Sequence, residues 1–220
     1  MRDLWPWLTL FGLGAFHGIN PGMGWLFAVA LGLQEKRRSA VLAAIPPIAL
    51  GHALSIGVVV GLLWLAQANL PETALRYGAA VMLFGLGIYR LIRTRHPRWV
   101  GMRVNFRDLT LWSFLMASAH GAGLMLAPIL LGWSYMDYAG HGTNAAHMHH
   151  LSGEQMALNG PLAWLMAVVV HTLGYLLVAT LVALLVYEKL GVAILRRAWF
   201  NLDLLWVIAL MISGGLILIL

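Results

Sequence analysis

The chain has 220 residues, 61% of them hydrophobic and only 10% charged, with a formal net charge of +6. Soluble domains carry roughly 25% charged residues, so this composition excludes an ordinary water-soluble fold and points to an all-α membrane protein. The absence of cysteine also excludes structural disulfides, thiol redox relays and thiolate metal sites.

Apolar runs divide the chain into six expected transmembrane helices: Trp5–Leu33, Ala40–Ala68, Ala74–Ile92, Leu109–Trp133, Pro161–Tyr187 and Phe200–Leu220. Each approaches or exceeds the roughly 20 residues that cross a hydrocarbon core, where backbone groups must bond within their own helix. The first run follows Arg2, as a secretory signal would. His17 and Asn20-Pro21-Gly22 interrupt it, however, and no small-residue cleavage site follows, so it is expected to be retained. Arg2 and Arg76 lie outside the odd-numbered connections. The other 12 basic residues fall in three of them: Lys36, Arg37 and Arg38; then Arg90, Arg93, Arg95, Arg98, Arg103 and Arg107; then Lys189, Arg196 and Arg197. The positive-inside rule makes that side cytoplasmic and puts both termini outside, in a plasma membrane of the bacterial inner-membrane type. The basic surplus is then a topology signal, and membrane lipid rather than nucleic acid is the expected partner. An oligomer is compatible with this reading.

One connection stands apart. Residues 134–160, between the fourth and fifth spans, face the outside in this topology and carry His141, His147, His149 and His150 beside Met148. Clustered imidazoles with a thioether favour capture of a transition-metal ion, against the plainer reading of a solvated polar loop.

Within the spans no Asp, Glu, Lys or Arg comes near a centre, but four histidines do: His17, His52, His120 and His171. A polar group at that depth is costly and marks function, although a single histidine can also serve merely to bond a neighbouring helix. Their surroundings repeat. A His-Gly pair at His17-Gly18 is matched by His120-Gly121, and an apolar stretch around His52 by another around His171. Three spans per half is an odd number, so the halves 1–107 and 108–220 are expected to form two inverted three-helix repeats with a binding site at the midplane. Asn20-Pro21-Gly22, Pro46-Pro47 and Pro128 are expected to loosen the helices around that site. Ser55, Thr172 and Tyr175 are candidates to orient the imidazoles.

The segment Leu13-Gly14-Ala15-Phe16-His17-Gly18-Ile19-Asn20-Pro21-Gly22 resembles the first-helix signature of the nickel/cobalt efflux family, within the lysine-exporter superfamily of six-span carriers. That family reads His-Gly-Leu-Glu-Pro-Gly-His at this point, has a second-span histidine that His52 matches, and commonly carries a histidine-rich loop. The match covers roughly the first 55 residues. Asn20 stands where the family has an acid and Met23 where it has a second histidine; Gly121-Ala122-Gly123 and Pro128 stand for its Gly-Gly and Pro-Cys-Pro. The resemblance implies a six-span fold and a transition-metal substrate.

Imidazole suits zinc, copper, iron and nickel, whereas a carboxylate-poor site disfavours magnesium, calcium and manganese. The expected function is therefore a carrier of a nickel/cobalt-, zinc- or copper-class cation, working by alternating access. Its ligand candidates are His17, His52, His120 and His171, with Asn20 and Met23 beside them. A loss of negative charge at Asn20 and a thioether at Met23 also admit monovalent copper. The alternatives are a bis-histidine haem electron carrier, a small amino-acid exporter and a metal-responsive membrane partner that transports nothing. No nucleophile–base pair or phosphate loop appears, so no enzyme is expected.

Overall fold

The structure is a computed structural model, and it describes residues 4–92, 105–132, 161–190 and 202–219. The loop histidines His141, His147, His149 and His150 lie outside the described residues. Among the described residues there is no strand. The helices are α1 (Trp5–Ile19), α2 (Trp25–Glu35), α3 (Arg38–Gln67), α4 (Glu72–Ile92), α5 (Phe106–Ala119), α6 (Leu124–Gly132), α7 (Pro161–Leu185) and α8 (Leu202–Ile219).

Among the described residues, three helices are long and apolar enough to cross a membrane: α3, α4 and Pro161–Lys189, which adds a π-helical turn to α7. A fourth is reached if α5 and α6, bent by 49°, count as one span. This makes a helical membrane protein. The first expected span is two helices rather than one. Asn20 takes an extended conformation ahead of Pro21, whose ring disfavours a helical predecessor, and α1 stops there. A 3-10 turn, Pro21–Met23, and Gly24 at φ 118° lead into α2. The second break follows a different rule. It falls at residues 120–123 and not at Pro128, which sits in the early turns of α6, where a proline is tolerated. Nor do Pro46 and Pro47 break α3, which runs through both. In lipid, neighbouring helices help a proline-containing helix to persist. Arg90, grouped by sequence with the third connection, lies inside α4.

Small residues set the packing. α1 and α7 run parallel and touch through glycine. A Cβ on Gly14 would strike the His171 carbonyl, one on Gly174 the Phe11 carbonyl, and one on Gly18 would stand 2.7 Å from the Tyr175 oxygen. α3 and α5 also run parallel. A Cβ on Gly51 would strike the Thr110 carbonyl, the Ser55 and Ser118 hydroxyls bond at 2.8 Å, and the Ser113 hydroxyl donates to the Ile48 carbonyl at 2.7 Å. α4 and α8 are antiparallel, with Gly87 against Met211 and Gly214 against Phe84. Backbones that approach through glycine and serine are what apolar solvent favours, because hydrophobicity no longer drives helix association. Leucines such as Leu54, Leu62, Leu165, Leu173 and Leu181 face outward accordingly.

Candidate functional site

The described histidines of the spans are all buried: His17, His52 and His171 are 0% exposed and His120 is 1%. α1 delivers His17 one turn before its break. The ring Nδ1 lies 2.6 Å from the Leu13 carbonyl, which can only accept, so Nδ1 carries the proton. Its Nε2 keeps a lone pair and has no hydrogen-bond partner. α3 delivers His52, and α7 delivers His171 from beside the α1 crossing. Neither ring nitrogen of His52 or of His171 has a partner in hydrogen-bond geometry, though the Leu10 backbone lies near enough to His171 to act on it electrostatically.

These three rings gather. Ring centres stand 4.9 Å apart for His17 and His171, 5.5 Å for His17 and His52, and 5.7 Å for His52 and His171. With a metal–nitrogen bond of about 2.0–2.1 Å and roughly 1.2 Å more to the ring centre, two imidazoles at a tetrahedral angle have centres about 5.3 Å apart. The backbone therefore already places the rings at coordination spacing. Their donor atoms are not converged: among the described residues no group of three or more His, Cys, Asp or Glu is arranged to hold an ion. The His52 and His171 rings lie within 11° of parallel. Convergence then asks for imidazole rotation rather than movement of helices.

His120 is held elsewhere. It caps the end of α5, and its Nδ1 lies 2.7 Å from the Met116 carbonyl, repeating the His17–Leu13 arrangement. Its ring contact among the described residues is with Trp206 of α8, at 5.4 Å, and Trp206 in turn stands 4.5 Å from His17. The Trp206 indole donates to the His120 carbonyl at 2.7 Å and stacks on Phe16 at 5.2 Å. Arg90 reaches the same place, donating through Nε and Nη2 to the Ala119 carbonyl at 3.2 and 3.0 Å, with Nη2 also 3.2 Å from His120 Nδ1. Arginine only donates. The shorter bond to Met116 gives His120 Nδ1 the proton, and the guanidinium belongs mainly to Ala119. The structure thus brings three of the four span histidines together and sets an indole between them and the fourth.

Asn20 and Met23 lie in the turn after His17. The Asn20 side-chain oxygen accepts from the Gly22 amide at 2.9 Å, leaving its buried Nδ2 without a partner. That end is a donor and cannot hold a cation. Met23 is buried, and its carbonyl accepts the Tyr175 hydroxyl at 2.6 Å. None of the three expected orienting residues bonds an imidazole. Ser55 bonds Ser118, the Thr172 hydroxyl has no hydrogen-bond partner, and Tyr175 acts through its ring, stacked 3.9 Å from His52 at 13°. Trp206 and Arg90 escaped the sequence reading because tryptophan is common in membrane helices and Arg90 stands among loop arginines. In hindsight, Trp206 is the one indole in the mostly aliphatic final span.

Compared with protein-family models, curated proteins and solved structures, the chain matches none of them.

Proposed function

We propose that the protein is a membrane carrier that moves a transition-metal cation by alternating access, with His17, His52 and His171 as the ion's ligands. The observation that carries this reading is the trio itself: three fully buried imidazoles, centres 4.9 to 5.7 Å apart, with their free nitrogens unpartnered. A buried polar group without a partner costs about 1–3 kcal/mol, so leaving several together in a membrane core needs a compensating ligand. The ion is the cargo, and the ring rotation that closes the trio is the local part of its capture.

Six spans arranged as inverted repeats remain part of the proposal. The first helix of each half packs in parallel on the second helix of the other, α1 on α7 and α5 on α3, while the third helices, α4 and α8, pair antiparallel. Crossed pairs of this kind are what a two-fold axis in the membrane plane generates. The 12 basic residues in odd connections support outside termini. Haem is the weaker reading, because imidazoles this close to one another leave no gap for a macrocycle between any two of them.

The test is flux of nickel, cobalt, zinc, copper and silver ions in proteoliposomes. Ion-specific flux that falls about tenfold or more in His17→Gln supports the carrier. Absence of flux for every ion, with the protein correctly inserted, refutes it.

A further inference from the structure

Among the residues whose side chains are described, the carboxylates lie at helix ends and are engaged. Glu35 pairs with Arg37, Glu72 with Arg76 at 2.6 Å, and Glu188 with Arg38 at 3.2 Å, while Asp108 accepts from the Asn105 amide at 3.1 Å in a capping box. The trio is surrounded instead by Tyr175, Trp206 and neutral imidazole, all buried. The cost of burying an ion scales with the square of its charge, so a divalent ion pays about four times what a monovalent ion of similar size pays. Three neutral ligands do nothing to cancel that difference.

A second observation concerns softness. The turns that follow His17 and His120 each bury a methionine, Met23 in Pro21–Met23 and Met125 in Leu124–Leu126, both 1% exposed. Met116 is buried as well, and its methyl and the His120 Cε1 both lie within contact of the first turn at Gly22, 3.7 and 3.8 Å from where a Cβ would stand. Thioethers beside both breaks suit a soft ion and offer little to a hard one.

We infer that the ion carried is soft and monovalent, of the Cu(I)/Ag(I) class, held by His17, His52 and His171 without a carboxylate and without His120. The inference rests on the carrier reading but fixes its substrate class. His120 is a positioning residue: its proton holds Met116, its carbonyl holds the indole, and its ring faces Trp206 rather than the trio.

Binding to the purified full-length chain tests this separately from flux. The background carries His96, His141, His147, His149 and His150 as Gln, so that the four buried histidines are the only ones left. Probes are Ag(I), Cu(I) under reductant with a competing chelator, Zn(II) and Ni(II). One Ag(I) per chain is expected, bound about tenfold or more tightly than either divalent ion. Affinity should fall about tenfold or more in His17→Gln, His52→Gln and His171→Gln, and less than about threefold in His120→Gln. X-ray absorption of the silver-loaded protein, which needs no variant to fold, should show nitrogen neighbours. Zn(II) or Ni(II) bound as tightly as Ag(I), or sulfur-only coordination, overturns the inference and leaves the carrier standing. So does tenfold loss of Ag(I) in Asp203→Asn, since Asp203 precedes Trp206 by three residues in the sequence. Flux in vesicles with no binding of Ag(I) or Cu(I) likewise overturns it, whereas no flux of any ion removes the carrier reading beneath it.

Discussion

The two broken helix pairs, α1–α2 and α5–α6, use the same local devices for different ends. In each, a histidine near the break bonds the carbonyl four residues back, His17 to Leu13 and His120 to Met116. A 3-10 turn follows in each, and an indole N–H serves an orphan carbonyl: Trp25 donates to Ile19 at 3.1 Å, Trp206 to His120 at 2.7 Å. Helix ends in lipid have no water for those carbonyls, which is why both breaks recruit a donor from the side. Beyond the backbone they diverge. His17 turns into a cluster of imidazoles, while His120 meets an indole and a guanidinium. Matching motifs specified matching backbones; the neighbours supplied by other helices decided what each ring can do.

The crossing that brings His171 to His17 is the first place to break this comparison. Gly174→Leu drives a side chain into the Phe11 carbonyl, and backbone cannot yield as a side chain would. We expect destabilisation of about 3 kcal/mol or more, and loss of most folded protein in detergent. Gly57→Leu, on the same kind of helix but with open space at its Cβ, should be near neutral. Thermal unfolding monitored by size-exclusion profile separates them. Equal stability of the two variants would show that α1 and α7 do not approach as described.

Next comes the functional contrast between the breaks. His52→Ala removes one of three gathered rings, so ion flux should fall about tenfold or more at every ion concentration. His120→Ala leaves the trio intact and should lower flux by less than about threefold, with part of that loss traceable to reduced stability. Initial rates across a concentration series in proteoliposomes measure both. If His120→Ala is as damaging as His52→Ala while the protein stays folded, the indole does not divide the histidines and all four act together.

Much of this was legible in the sequence, for a simple reason. In a chain with so few polar residues, a histidine or an Asn-Pro-Gly within an apolar run has few structural excuses. Burial of the four histidines and the break after His17 could be expected from that scarcity; one site for all four was expected too, and the structure gathers three. Proline misled elsewhere. α3 passes through Pro46 and Pro47, and the second break precedes Pro128. Whether a proline breaks a helix depends on its distance from the helix start and on neighbours that take up the freed groups, and neither is written locally. Nor is Trp206. Its contacts with His17 and His120 cross from the last helix to the first and fourth expected spans, a long-range placement that no spacing rule carries.

Trp206→Phe sharpens the role of that indole, because it keeps a flat aromatic ring while deleting the N–H. The Phe16 stack, centred at 5.2 Å and within 6° of parallel, should survive in large part. The His120 carbonyl loses its donor in a buried site, at a cost of about 1 kcal/mol and up to ~2. A modest fall in thermal stability with nearly unchanged ion affinity is expected. A tenfold loss of affinity would instead make Trp206 part of the ion's own enclosure.

The smallest expected effect probes the α3–α5 seam, counterpart of the glycine crossing on the other side of the site. Ser55 and Ser118 exchange a hydrogen bond at 2.8 Å, one helical turn beyond His52 and two residues before His120. In lipid such a bond has no water to compete with it, yet interhelical bonds in membranes average only about 0.6 kcal/mol, because the loosened helices find other partners. Ser55→Ala also removes little volume, so no cavity of consequence forms. We therefore expect a stability loss of about 0.6 kcal/mol and no change in flux. Ser118→Ala should cost the same, and the double variant should cost no more than either single one, since both delete a single bond. Additive losses in that double-mutant cycle would mean that each hydroxyl has its own partner. The seam would then be held by something other than the Ser55–Ser118 pair, and Gly51 against the Thr110 carbonyl would be the contact to test next.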